Sequence, residues 1–353
     1  MKTTLQSVTK YVLIALGVAF TVDRSAFGAD SLGQTALDHA AEQGARITSL
    51  WWFYFAVLIG VFALVIAAML TAVVIHRTGQ LKDNASVPIE QPEPARERRI
   101  ALTIVGATVA TILIMFGLLV ADVFADRAVS SKAPDNAVAI KVTGHQWWWE
   151  LRYENQDASK IFTTANELHI PTEIPVKFEL NSADVIHSFW VPNLHGKKDL
   201  IPGHPTNTWF IAKKPGIYYG QCAEFCGYQH AHMRLVITAE PEQAFNGWLE
   251  QQRQSAPDPM TDQQRRGLQV LTGSTCVMCH SVQGTPARGS LGPDLTHLAA
   301  RQWLGAGALP NIPTDLGQWI RDPQAHKPGV RMPQHPFSDT DLNALVAYLQ
   351  TLK

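Results

Sequence analysis

Two long stretches without charged residues constrain the fold of this chain more than any other feature. The first covers residues 47–75 and the second covers residues 100–121, and neither contains Asp, Glu, Lys or Arg. A helix needs about 20 apolar residues to cross the hydrocarbon core of a bilayer, and uncharged runs of this length are rare in water-soluble folds. The sequence therefore predicts a transmembrane hairpin with spans at about 50–75 and 100–122, in contact with membrane lipid.

The distribution of basic residues predicts the orientation of this hairpin. The connection at 76–99 contains five Lys or Arg residues, whereas the flanks contain Arg46 before the first span and Arg127 and Lys132 after the second. Loops rich in Lys and Arg remain in the cytoplasm. We therefore expect a multi-pass protein of the bacterial inner membrane, with a cytoplasmic connection and with everything after residue 122 on the periplasmic side.

Residues 1–29 have the layout of a signal peptide. Lys2 and Lys10 precede a short apolar run at 11–22, and small residues follow up to Ala29. Such a run is too short for a comfortable span and is typical of a secretory signal. We expect cleavage near residue 29, so that residues 30–125 hold the N-terminal segment and the hairpin.

The rest of the chain divides into a β-rich part and a helical part. Four runs rich in β-branched or alternating residues predict strands; they begin at Val138, Pro175, Thr208 and Arg234. Short strands separated by Pro-Gly turns favour an all-β sandwich over 135–250. A polar linker at 251–260 leads to helical periodicity over 261–353, where Thr261 and Ser338 are the expected N-caps of the first and last helices. The balance of 29 Lys and Arg against 30 Asp and Glu gives no indication of a nucleic-acid partner.

The segment from Cys222 to Met233 has the composition of a metal site. Cys222, Cys226, His230 and Met233 fall within twelve residues, and sulfur with imidazole is the donor set that selects copper. A disulfide between the two cysteines is possible outside the cell but leaves His230 and Met233 without a purpose. Zinc seldom recruits methionine, and a mononuclear blue-copper site needs only one cysteine. Two thiolates that bridge two copper ions would explain the second cysteine.

The sequence Cys276-Val-Met-Cys279-His280 is the attachment motif of a c-type haem. Two thiols bind the haem covalently, and the adjacent imidazole binds the iron. Met332, which lies 52 residues after His280, is the candidate for the second axial ligand, and methionine–histidine ligation raises the iron potential. Three histidines are rivals to Met332 for this position: His297, His326 and His335.

At these motifs the chain resembles subunit II of haem–copper cytochrome c oxidases over about residues 30–250. The resemblance rests on five segments: 144–150, 184–192, 198–203, 215–222 and the loop up to Met233. Residues 261–353 resemble a class I cytochrome c, in which Gly267 and Tyr348 match positions where the terminal helices cross. The implied fold is a multi-domain membrane protein with a transmembrane hairpin, an all-β cupredoxin-like Greek-key sandwich and an all-α class I cytochrome c domain.

The resemblance also implies the roles of individual residues. The family holds a binuclear copper centre, called CuA, which Cys222 and Cys226 would bridge. His187 and His230 would each bind one copper ion, with Met233 as a weak ligand and the Glu224 backbone carbonyl as another. The Glu224 carboxylate would bind Mg²⁺ at the boundary with subunit I. Trp147 matches the aromatic residue that receives electrons in the family, although three consecutive tryptophans also fit an ordinary aromatic cluster.

Two spans cannot house an oxygen-reducing centre, so we expect no catalytic residue in this chain and a catalytic partner, subunit I, with subunit III beside it. The predicted function is that of subunit II of a caa-type cytochrome c oxidase. Electrons would come from a soluble cytochrome c, a bc complex or another carrier, enter at haem c and pass through CuA to subunit I, where O₂ is reduced to water with proton pumping. The linker would keep the two domains at an effective concentration of about 1 mM.

Three other functions share some of these sequence features, and each has a feature that distinguishes it. A membrane-tethered electron-transfer protein outside any oxidase would form no stable complex with a large multispan partner. A nitrous oxide reductase has similar copper-loop spacing but needs a large propeller domain, for which this chain has no room. A quinol oxidase subunit would lack the copper ligands.

Overall fold

The computed structural model describes residues 33–80 and 93–353 of the chain. The predicted signal peptide and most of the basic connection between the spans lie outside these residues. Helix α1 (Glu42–Gln80) and helix α2 (Pro94–Val129) contain the two uncharged runs. Pro94 begins α2, where a missing N–H group is harmless. Both helices are long and apolar enough to span a bilayer and leave their apolar side chains exposed, as a membrane-embedded hairpin requires.

Among the described residues, the hairpin is attached to the folded domain that follows it near the start of α1 and the end of α2. The backbone N–H of Ala40, just before α1, donates to the Asn193 carbonyl at 2.8 Å, and Lys213 N–H donates to the Ala40 carbonyl at 2.7 Å. Just beyond α2, the Ser131 carbonyl accepts from the Trp209 indole at 2.6 Å. The start of α1 and the end of α2 therefore meet the same domain, and the other ends of the two helices, at Gln80 and Pro94, point away from these contacts.

Ten strands form this domain, in two five-stranded sheets. The strands are β1 (Val138–His145), β2 (Trp148–Tyr153), β3 (Phe162–Ala165), β4 (Glu167–Pro171), β5 (Pro175–Ser182), β6 (His187–Trp190), β7 (Lys198–Leu200), β8 (Thr206–Ile211), β9 (Gly216–Cys222) and β10 (Arg234–Glu240). The sheet orders are β3-β2-β1-β5-β8 and β4-β10-β9-β6-β7, with parallel pairs β1–β5 and β4–β10. These crossing connections confirm the predicted cupredoxin-like sandwich.

The core of the sandwich follows from side-chain alternation. Along β5, Val176, Phe178 and Leu180 are buried while the intervening residues Lys177 and Glu179 are exposed. A strand with one buried face requires this period of two. The four predicted strand runs coincide with β1, β5, β8 and β10, and their inward residues join one hydrophobic cluster with residues of the second sheet.

Helices dominate the remainder of the chain. They are α3 (Glu242–Gln252), α4 (Asp262–Gly273), α5 (Cys276–Cys279), α6 (Pro313–Arg321), α7 (Pro323–His326) and α8 (Asp339–Leu349), with a short hairpin of β11 (Trp303–Leu304) and β12 (Leu309–Pro310). Thr261 begins α4 with a capping box, and the Ser338 side chain caps α8, as predicted. Helices α4 and α8 cross so closely that a Cβ atom on Gly267 would lie 2.0 Å from the Ala344 carbonyl oxygen. This confirms the predicted close crossing of the terminal helices.

Candidate metal centres

The copper-loop residues are brought together at one end of the second sheet. His187 begins β6 and Cys222 ends β9, and these neighbouring strands pair with Phe189 opposite Cys222. The copper loop, residues 222–233, connects β9 to its other neighbour, β10, and is closed where Cys222 N–H donates to the Met233 carbonyl at 2.9 Å. Strand pairing therefore places His187 beside a loop that lies 35 residues further along the chain.

The predicted copper donors of the loop and the imidazole of His187 lie close together. The distances are 3.8 Å from Cys222 Sγ to His187 Nδ1, 3.5 Å from Cys226 Sγ to His230 Nδ1, 3.9 Å from Cys226 Sγ to Met233 Sδ and 3.2 Å from Cys222 Sγ to the Glu224 carbonyl oxygen. The ligand atoms of His187, Cys222 and Cys226 lie within 4.8 Å of one another. Both thiols are free and almost fully buried, so the cluster has the arrangement of a metal site and not of a disulfide.

Asp184 orients the imidazole of His187. Its carboxylate accepts from His187 Nε2 and from the backbone N–H groups of Gln146 and Val185, each at 2.8 Å. Burial opposes ionisation of Asp184, but these hydrogen bonds outweigh it and lower its pKa to about 2. A carboxylate is a common hydrogen-bond partner for the ring nitrogen of a metal-binding histidine that does not bind the metal. Because Asp184 holds Nε2–H, the Nδ1 lone pair of His187 faces the cysteine sulfurs.

A hydrogen bond between the two sulfurs shifts their pKa values in opposite directions. Hydrogen bonding from Cys226 lowers the pKa of Cys222 against the opposing effect of burial. The same contact raises the pKa of Cys226. Two positive metal ions would release the second proton, because coordinated thiols are deprotonated. Two soft sulfurs, two imidazoles and a thioether fit copper better than zinc, which would leave Met233 unused.

Trp147 lies between the copper loop and the helical domain. Its indole N–H donates to the Cys226 carbonyl at 3.0 Å, and only 8% of the residue is exposed. The loop before Met332 covers its ring, since a Cβ atom on Gly329 would lie 3.4 Å from Trp147 Cη2. The residue that the resemblance assigns to receiving electrons is thus in contact with both domains.

The haem-attachment motif forms a single turn, α5, followed directly by His280. Cys276 and Cys279 are half-buried and free, and His280 Nδ1 contacts the Pro293 carbonyl at 2.7 Å, which leaves Nε2 for a metal. Burial lowers the pKa of His280, so that the neutral, metal-binding form prevails at neutral pH. The fit to a covalent haem rests on these free thiols and this oriented imidazole.

The candidate for the second axial ligand of the haem iron lies outside the attachment motif, in a loop near the C-terminus. Met332 is half-buried, and Gln324 Nε2 donates to its carbonyl at 3.0 Å. Among its rivals, His297 uses Nδ1 to contact the Lys353 carbonyl at 2.7 Å, and His335 stacks on Phe337. The assignment of Met332 as the second axial ligand stays a prediction from the sequence.

Sequence reasoning missed the contacts that join the two domains. Glu167 of the sandwich accepts from the backbone N–H groups of Gln302 and Trp303 at 2.9 and 2.8 Å. Gln229 of the copper loop donates to the Pro328 carbonyl at 2.8 Å. No local pattern marks these residues, because each contact pairs segments that are distant in sequence.

Comparison with known proteins gives the same division of the chain. Residues 155–240 match the family model described as the periplasmic domain of cytochrome c oxidase subunit II, and residues 264–353 match the cytochrome c family. A cytochrome c oxidase subunit 2 from Bacillus sp. strain PS3 is 30% identical over 277 residues, which cover 75% of this chain and 76% of that protein. This chain belongs to the cytochrome c oxidase subunit 2 family.

Another relative has the same name. The cytochrome c oxidase subunit 2 of Alkalihalophilus pseudofirmus is 41% identical over 231 residues, which cover 65% of this chain and 66% of that protein. The crystal structure of the periplasmic domain of subunit II from Bradyrhizobium japonicum is 33% identical, with a TM-score of 0.32, and covers 35% of this chain and 97% of that one. As a subunit 2, the chain is a membrane-anchored protein with an outer-side domain and associates with other oxidase subunits.

Proposed function

We propose that this subunit 2 collects electrons on its cytochrome c domain and delivers them through the copper loop to the oxygen-reducing subunit of a cytochrome c oxidase. Bound copper and haem iron would supply the one-electron redox chemistry that links the donor to oxygen reduction and proton pumping. Six residues would hold the binuclear CuA centre: His187, Cys222, Glu224 (through its carbonyl), Cys226, His230 and Met233. Cys276, Cys279, His280 and Met332 would hold one covalent haem c.

The convergence of soft donors in the copper loop carries this proposal. Four of the residues that carry them are 0–3% exposed, so water has little access to the sulfurs: His187, Cys222, Cys226 and Met233. A buried site whose ligands are fixed by paired strands changes little in geometry when its charge changes. That rigidity suits electron transfer, because little of the surroundings has to rearrange.

Trp147 would connect the two domains electronically. Its ring packs against the loop before Met332, and its indole N–H bonds the carbonyl of Cys226, one of the bridging residues. This contact offers a short packed path from the haem domain to the copper loop. It also means that a soluble donor would not reach Trp147 directly and would deliver electrons to the cytochrome c domain instead.

The outer surface of the copper loop would face subunit I. Phe225 and Tyr228 are 75% and 81% exposed and flank the half-buried Glu224. Exposed aromatic residues of this size favour a protein interface. We place the Mg²⁺ ligand role of the Glu224 carboxylate at this boundary, with subunit III in the same complex.

The predicted membrane orientation agrees with the attachment of the hairpin. The sandwich holds the start of α1 and the end of α2, so the helix ends that the basic connection joins, Gln80 and Pro94, are the ends not held by the sandwich. A cytoplasmic connection then leaves both domains outside, where a soluble cytochrome c or a bc complex is the expected donor.

A visible and near-infrared spectrum of the purified oxidase containing this subunit tests the function. We expect a near-infrared copper band together with the α-band of a c-type haem that resists extraction by acidified organic solvent. A complex that consumes oxygen but lacks the copper band would contradict the proposal.

A further inference from the structure

Lys327 is almost completely buried at the contact between the sandwich and the cytochrome c domain, with 1% of its surface exposed. Lysine is almost never fully buried unless it is paired. Here the ammonium group donates to three backbone carbonyl oxygens, those of Trp147 at 2.7 Å, His232 at 2.7 Å and Gly305 at 2.6 Å. An ammonium group has three N–H donors, so each donor has one acceptor.

The three carbonyls come from three separate segments. Trp147 lies between β1 and β2, His232 belongs to the copper loop, and Gly305 belongs to the β11–β12 hairpin of the helical domain. Lys327 itself is five residues before Met332 in the sequence. One side chain therefore ties the loop that carries the candidate haem ligand to two segments of the copper domain.

Because Lys327 is buried, its three hydrogen bonds should form together in the docked arrangement and be lost together when the domains separate. A charged group that loses its partners while it remains buried is strongly unfavourable, whereas the same lysine in water is well solvated. A partly separated pair of domains would leave the ammonium group short of acceptors. The contact therefore favours one docked arrangement over a range of similar ones, unlike the 3.9 Å ion pair that the exposed Arg331 forms with Asp184.

We infer that Lys327 is a positioning residue that locks the cytochrome c domain onto Trp147 and so fixes the geometry of electron transfer between the two centres. The inference rests on the proposed function. It differs from a tether alone, because a linker raises the encounter rate but leaves the relative orientation of the domains open.

Lys327→Met in the assembled oxidase tests the inference, with Lys353→Met as the matched control. Lys353 is the other lysine of residues 261–353, and its side chain is exposed. A light-triggered reductant delivers an electron to the haem, and its transfer is followed at the haem α-band and the near-infrared copper band. We expect transfer to slow at least about tenfold in Lys327→Met, because each lost charged hydrogen bond reduces the docked population by about that factor.

The spectra and midpoint potentials of both centres separate positioning from damage. We expect them to be unchanged in Lys327→Met, and the control to transfer at the original rate. Transfer at the original rate in a fully loaded Lys327→Met protein would overturn the inference and leave the proposed function intact. A missing copper or haem band in the unsubstituted oxidase would instead refute the proposed function.

A second variant covers the case in which Lys327→Met loses a metal group on assembly. Lys327→Gln keeps an uncharged amide with two donors, which cannot satisfy three carbonyls. The distance between the two paramagnetic centres, measured by pulsed electron paramagnetic resonance in the frozen complex, should be broadly distributed in this variant. A distribution as narrow as that of the unsubstituted protein would overturn the inference.

Discussion

The copper loop and the haem-attachment turn reach their metal chemistry in opposite ways. At the copper loop, Cys222 and Cys226 are 3% and 2% exposed, and paired strands already hold the donors together. At the haem turn, Cys276 and Cys279 are half-exposed on one turn of helix, and Met332 comes from a distant loop. The fold itself holds the donors of the first site together, whereas the predicted ligands of the second come from a turn and a loop that a bound haem would join.

Removing one bridging sulfur should have the largest effect on activity. It should also distinguish the copper loop from the haem turn most clearly, because only the copper spectrum should change. In Cys226→Ser the near-infrared copper band should disappear while the haem spectrum stays, because the haem ligands lie in another domain. Oxygen consumption should fall further than it does when a residue that only hydrogen-bonds a metal ligand is lost, which costs about 10–100-fold. Spectra and oxygen uptake of the purified complex check both points, with Ser188→Ala as a control beside the loop. A surviving copper band would contradict the assignment of the bridge.

The reverse experiment removes the haem attachment. Cys276→Ala combined with Cys279→Ala should leave the helical domain without its covalent group and open to proteolysis, while the copper band persists. The expected asymmetry follows from the difference in burial of the two pairs of thiols. Limited proteolysis with copper analysis of the surviving fragment measures it. If the helical domain resists protease as well without haem as with it, the contrast drawn here between the regions is wrong.

Loss of the outer partner of the copper site should have an intermediate effect. Asp184→Asn removes the charge that holds His187 Nε2–H at 2.8 Å. Copper affinity should fall about 10–100-fold, since this carboxylate fixes the imidazole tautomer. Competition with a copper chelator measures the change, and Asp135→Asn on the exposed surface serves as the control. Equal affinities in the two variants would show that the site does not depend on Asp184.

The smallest effect concerns packing of the haem domain. Gly267→Ala places a methyl group 2.0 Å from the Ala344 carbonyl oxygen, so overpacking should lower the free energy of unfolding by about 1–3 kcal/mol. Gly273→Ala in the same helix meets nothing within 4 Å and should stabilise the helix by up to about 1 kcal/mol. Thermal unfolding followed at the haem band compares the pair. Equal melting temperatures would mean that the helix crossing is looser than the structure shows.

Local patterns in the sequence predicted much of the fold and named most of the candidate copper ligands, which the structure brings together. The strand runs at Val138, Pro175, Thr208 and Arg234 and the caps at Thr261 and Ser338 follow from alternation and hydrogen-bonding chemistry that act over a few residues. Copper donors in the loop could be named for the same reason. His187 needed the family resemblance, because only strand pairing brings it to the loop.

The contact between the domains could not be predicted in this way. Lys327 reaches carbonyls that are 180, 95 and 22 residues away in the sequence, and backbone carbonyls have no signature in a sequence. The polar linker suggested a tether, whereas the structure packs the two domains directly. Asp184 stood within a recognised motif, yet its role follows only from its distance to His187 Nε2.

We expect two sulfurs to bridge two copper ions, so that the pair of ions takes up and releases one electron together. Metal analysis with electron paramagnetic resonance of the oxidised complex tests it most directly. We predict two copper ions bound to this subunit and the hyperfine pattern of one electron shared equally by two copper nuclei. A single copper ion, the pattern of one nucleus, or a disulfide between Cys222 and Cys226 in the metal-loaded protein would contradict it.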